Sequence, residues 1–176
     1  MEVLLILGRD ISRQRGRSID LHGVKDLISQ LHIPLSASLV TRTYVKLYGP
    51  NVTLAIRALE RVSLEVPGVR IMSAPIWQDI AARVTGGLRD SPVGFFALMA
   101  EIAMSHFAAS GVALPKERSR NLLSRSGENL REYDFFFEWA KKPKLELVYR
   151  LIERIDEEIS ETGCRYTLTT KQQRRK

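Results

Sequence analysis

From Leu39 to Tyr48, apolar and small residues alternate with mostly larger, basic and aromatic ones. Leu39, Thr41, Thr43, Val45 and Leu47 point one way, and Val40, Arg42, Tyr44, Lys46 and Tyr48 the other. A period of two predicts a strand with two unlike faces. Gly49-Pro50-Asn51 turns the chain, and proline suits the first turn of a helix. Val52, Ala55, Ile56, Leu59, Val62 and Val66 then fall on one helical stripe that Pro67-Gly68 ends. Upstream, the run Val3–Leu7 predicts a central strand buried on both faces. Leu21, Val24, Leu27, Ile28 and Leu31 predict a helix that stops at Pro34, and Val69–Ser73 predicts a third strand. The order is β-α-β-α-β, which places the chain in the α/β class.

After Ala74-Pro75 the period becomes helical. Ile76–Val84 is amphipathic, and Ser91-Pro92 opens a helix to Gly111 that is apolar nearly all round, hence expected to be buried. Pro115 opens a basic polar helix, and Leu130, Tyr133, Phe136, Phe137 and Trp139 follow in a region assigned to the helical half. Leu145, Val148, Tyr149, Ile152, Ile155 and Ile159 form a last stripe, ended by Thr162-Gly163. Cys164–Thr170 reads as a late edge strand and Lys171–Lys176 as a disordered tail. The expected organisation is a small α/β module over residues 1–74, a mostly helical region over 75–163 packed on it, and an edge strand with a basic tail over 164–176.

Charge sharpens this picture. The 176-residue chain carries a net charge of +7. Residues 9–17 contribute +3 and residues 171–176 contribute +4, so the rest of the chain sums to zero. Localised positive charge points to a polyanionic partner. Arginine outnumbers lysine 19 to 8, and Asn plus Gln total 8, a composition that suits a thermophile and equally a GC-rich genome. No apolar run is long enough to span a membrane. The start has no basic region ahead of its apolar residues, and the one cysteine, Cys164, allows no internal disulfide; both fit a cytoplasmic protein.

Catalytic chemistry finds little support. His22, His32 and His106 lack metal-ligand spacing, and no CxxC, HExxH, GxSxG or phosphate-loop motif is present, so no metal or cofactor is expected. Cys164 has no neighbouring base in the sequence, and Glu153, Asp156, Glu157 and Glu158 read as a solvated helix face. Nucleic-acid binding has two candidate sites. Arg9, Arg13, Arg15 and Arg17 lie in a loop entering a helix N-terminus, where guanidinium groups and backbone amides favour phosphates. Arg42, Tyr44, Lys46 and Tyr48 share one strand face, where Tyr rings can stack on bases and cations can meet phosphates. Lys171, Arg174, Arg175 and Lys176 add an electrostatic arm. At fold level the first 75 residues resemble compact α/β modules of RNA-binding and regulatory domains, without the aromatic ribonucleoprotein signature or a GxxG loop. The leading reading is a non-enzymatic accessory protein that binds RNA or single-stranded DNA. Its rival is an interaction or scaffold subunit of a homo- or hetero-oligomer, drawn from the apolar helix and the aromatic cluster. An enzyme with an unrecognised site is the third.

Overall fold

The computed structural model describes residues 2–5, 39–84, 92–126, 130–139 and 141–174. In chain order the elements are β1 (Glu2–Leu5), β2 (Leu39–Tyr48), α1 (Val52–Glu65), β3 (Val69–Ser73), α2 (Ala74–Val84), α3 (Pro92–Ala109), α4 (Lys116–Leu122), β4 (Phe135–Trp139), α5 (Leu145–Ser160) and β5 (Arg165–Arg174). The protein is mixed α/β. The described strands form one five-stranded sheet in the order β1-β5-β2-β4-β3, and every neighbouring pair is antiparallel. The helix expected over Leu21–Leu31 and the loop Arg9–Arg17 lie outside the described residues.

Three sequence expectations are corrected. The first strand was expected at the centre, yet β1 sits at the edge of the described sheet, and β2 takes the centre. The late strand was expected at an edge with a disordered tail, yet β5 lies between β1 and β2 and continues through Lys171 to Arg174. Its threonines favour extended backbone, and a ten-residue register with β2, from Leu39↔Arg174 to Tyr48↔Arg165, satisfies its polar main chain. The third is β4. Phe135-Phe136-Phe137 lacks the alternation of a one-sided strand because all five residues of β4 are buried, on both faces of the sheet.

Register assigns the faces. Thr41, Thr43 and Val45 line up with Trp139, Phe137 and Phe135 on β4 and with Gln172, Thr170 and Leu168 on β5. Helices α1 and α5 cover this face. Ser73 Oγ, on its β3 margin, donates to Glu60 Oε1 of α1 at 2.9 Å, and Tyr166 of β5 hydrogen bonds Asp156 of α5. The β2–β5 ends close tightly. Gly49 has φ +140°, and a Cβ there would stand 3.1 Å from Cys164 Cα, so glycine is required by conformation and by space. Cys164 is itself buried.

Arg118 of α4 closes the other end of α1. Its Nη2 donates to the carbonyls of Ser63 (3.0 Å), Val66 (3.5 Å) and Val69 (2.8 Å), groups at the helix C-terminus and the following turn. Burial pushes the Arg118 pKa below its usual value.

One polar cluster orients the helical layer. Glu60 is buried in α1, and its Oε1 lies 2.8 Å from His106 Nε2 of α3. Arg57 Nη1 is 3.1 Å from Glu60 Oε2 and 2.8 Å from the same His106 nitrogen. That nitrogen serves one neighbour at a time. As N–H it donates to the carboxylate; as a lone pair it accepts from the guanidinium. Glu60 keeps Ser73 and Arg57 as donors in either case. Replacing Glu60 by Ala should therefore destabilise the fold by about 1–3 kcal/mol, because it strands buried donors. Glu60→Gln, which keeps an acceptor, should cost less; equal losses in urea-denaturation midpoints for the two variants would contradict this.

Candidate nucleic-acid interface

The face of β2 that carries Arg42, Tyr44, Lys46 and Tyr48 is held by the sheet in the predicted alignment. It does not stand open. Arg42 is opposite Glu138 of β4 in register and only 5% exposed. Its Nε and Nη2 each lie 2.8 Å from Glu138 Oε2, and its Nη1 donates to Gln173 Oε1 at 2.7 Å. Glu138 also accepts from Ser124 Oγ at 2.9 Å and from Arg70 Nη1 at 3.5 Å. One buried carboxylate thus holds two guanidinium groups and a hydroxyl.

Tyr44 is 1% exposed. Its ring is 4.7 Å from that of Tyr133 and 5.5 Å from that of Phe136. Lys171 Nζ stands 5.7 Å from the Tyr44 centroid and 5.2 Å from that of Tyr133, a cation against two rings. Lys46 Nζ pairs with Asp134 Oδ1 at 3.2 Å, and Asp134 Oδ2 accepts from the Leu47 amide at 2.8 Å. Ser124, Tyr133 and Asp134 therefore close this face. Tyr48 is exposed, alone at the end of the strand. The expectation of an accessible row of stacking rings is corrected. Tyr44 and Arg42 are core residues, because a charged strand face beside β4 becomes buried once the returning chain crosses it.

Of the remaining predicted residues, Arg9, Arg13, Arg15 and Arg17 lie outside the described residues, as do Arg175 and Lys176. Lys171 is a strand residue engaged with Tyr44 and Tyr133 rather than part of a free tail. Arg174 ends β5.

The sheet creates a basic end that the residue sums conceal. Strands β4 and β5 both run antiparallel to β2, so both leave the sheet where β2 begins. Thr41 pairs with Trp139 on one side and Gln172 on the other. Lys141 follows Trp139 by two residues, just as Arg174 follows Gln172 by two. The two strands are separated by one intervening strand, roughly 10 Å. Lys141, Lys142 and Lys144 are all exposed, and their side chains have no ion pair or hydrogen bond among the described residues. Three lysines in four residues was a readable signal. It vanished in the overall sum because Glu153, Asp156, Glu157, Glu158 and Glu161 cancel it in the same stretch of chain.

Among the described residues, Ser73, Glu60 and His106 do not line up as a nucleophile and its base. Ser73 Oγ is directed to Glu60 and not to His106, and both Ser73 and Glu60 are buried. No cluster of three metal-ligating side chains occurs among the described residues. No helix among them is long and apolar enough to cross a membrane. Glu138→Ala should act on stability: removing the carboxylate leaves two guanidinium groups without their charge partner and should cost about 3–5 kcal/mol. A variant that melts with the parent would show instead that the pair is solvated. No protein-family model, no curated protein sequence and no solved structure matches this chain.

Proposed function

We propose that the protein is a non-enzymatic accessory protein that binds RNA or single-stranded DNA through the phosphate backbone. The contact region is the basic end of the sheet: Lys141, Lys142, Lys144 and Arg174, with Arg175 and Lys176 next in sequence. The arginine-rich segment Arg9–Arg17 is a second contact. The observation that carries this reading is the charge order along α5. Lys141, Lys142 and Lys144 flank its N-terminus and outnumber the one acid of its first turn, Glu146, while Glu153, Asp156, Glu157, Glu158 and Glu161 occupy its second half and C-terminal end. A helix is stabilised by the opposite order, because its N-terminus is partially positive and its C-terminus partially negative.

Three of these five acids, Asp156, Glu157 and Glu158, have internal partners that relieve them. Arg154 bonds Glu65, Glu157 and Glu158, Arg61 bonds Glu158, and Tyr166 bonds Asp156. The three lysines have no such partner, so folding does not account for them. An anion outside the chain does. With Tyr44 buried, base stacking on the sheet gives way to backbone contact, which is tolerant of sequence and sensitive to salt.

Changing Lys141, Lys142 and Lys144 together to Ser separates binding from folding. The slope of log affinity against log salt for a labelled oligouridine should flatten by roughly 2, at about 0.7 per lost single-strand contact. Thermal stability should stay level or rise by a few tenths of a kcal/mol, since cations leave the positive end of a helix. Folded parent protein that shows no binding to oligouridine, single-stranded DNA or duplex DNA at low salt would rule the function out.

A further inference from the structure

The rotation of α3 leaves an apolar stripe in solvent. Leu98, Met99, Ile102, Ala103, His106 and Phe107 face inward, while Phe96 is 40% and Met104 41% exposed. The expected burial of this helix holds on its inward side and not on this one. Ala97, Ala100 and Met104 form the floor of a groove of about 410 Å³, and α4 forms its wall with Lys116, Ser119 and Arg120. The floor is small and apolar, so another backbone can approach it closely. Met104 is unbranched and adapts to what it meets.

The wall is charged and unbalanced. Lys116 and Arg120 are four residues apart and share one face of α4, where like charges repel. Their side chains have no ion pair or hydrogen bond among the described residues. On the opposite rim Glu101 is already engaged by Arg83 at 3.2 Å. The groove thus offers an apolar floor with two uncompensated cations along one side. We infer that it docks a short amphipathic helix of a partner protein, apolar on one face and bearing Asp or Glu on the flank that meets α4.

The charge complement selects this occupant over others. A second copy of the chain would carry its own net charge of +7, and on the exposed α3 face its only carboxylate is the same engaged Glu101. The chain's own residues 6–38 hold five basic and three acidic side chains, which adds charge of the wrong sign. A phosphate backbone would satisfy the wall and leave the apolar floor wet. A partner helix of two to three turns spans roughly 11–16 Å. The Ala97–Met104 floor, seven residues along α3, is about 10 Å long by the same rise.

Labelled helical peptides of about 16 residues, with leucines on one face and either Glu or Lys on the flank, test this with the full chain by fluorescence anisotropy. The Glu peptide should bind at least about tenfold more tightly than the Lys peptide, the effect expected for two rim charges. Lys116→Glu with Arg120→Glu should reverse that preference, and Met104→Lys should weaken both peptides. All three positions are exposed, and circular dichroism verifies folding of each variant. Equal affinity for the two peptides, no binding of the Glu peptide, or a preference that the double variant does not reverse overturns the proposal. So does self-association abolished by Met104→Lys, which would seat a second copy in the groove. Loss of oligouridine affinity in the Lys116→Glu, Arg120→Glu protein would seat nucleic acid there and likewise overturn it.

Discussion

A buried carboxylate needs polar partners, and Glu60 draws them from three directions. Arg57 comes from its own helix, Ser73 from the end of β3 and His106 from α3. This constraint matters most for α3. A helix that is apolar nearly all round gains about the same burial in many rotations, so the hydrophobic effect alone cannot choose one. The cost of an unsatisfied buried polar group does choose. Once His106 must meet Glu60, Leu98, Ile102 and Phe107 turn inward. Phe96 and Met104 turn out by the same rotation. The exposed stripe is thus a consequence of a polar contact on the opposite side of the helix.

A second buried carboxylate organises the other face of the sheet. Glu138 receives Arg42 across the strand pair, Arg70 from the edge strand and Ser124 from the segment that returns over the sheet. Burying such groups is costly, and their mutual attraction offsets that cost only when the geometry is good. The cluster is weak evidence for stability and better evidence for specificity, because it admits one register of β2 against β4. A one-residue slip would place Arg42 and Glu138 on opposite faces.

Charge on this protein divides into two kinds. Arg42, Arg57, Arg70, Arg118 and Arg154 are tied to carboxylates or carbonyls and belong to the architecture. Lys116, Arg120, Lys141, Lys142 and Lys144 have no internal counterpart among the described residues. The second kind forms two separate surfaces. At the basic end of the sheet the cations oppose a helix dipole, and on the wall of the α3–α4 groove they border an apolar floor. The first arrangement suits a polyanion and the second an acidic amphipathic segment.

Much of the local structure was legible in the residues. Alternation from Leu39 to Tyr48, the turn at Gly49-Pro50-Asn51, and the stripes of α1, α2 and α5 each follow from a period that one element imposes on its own sequence. Helix ends at Pro67-Gly68 and Thr162-Gly163 follow from local backbone preference. Sheet order was not legible, because strand pairing is a contest among segments far apart in the chain. Nothing within Thr167–Arg174 states that it will lie between β1 and β2. The identity of β4 was hidden for a related reason: a strand buried on both sides loses the alternation by which strands are recognised. The candidate interface divides along the same line. That Arg42, Tyr44, Lys46 and Tyr48 share a face follows from the residues alone, since neighbouring strand residues alternate by covalent geometry. Packing between distant segments closes this face and brings Lys141 and Arg174, 33 positions apart, out of the sheet at the same end. Exposure and convergence are properties of how segments pack against each other, and a single segment carries no record of its neighbours.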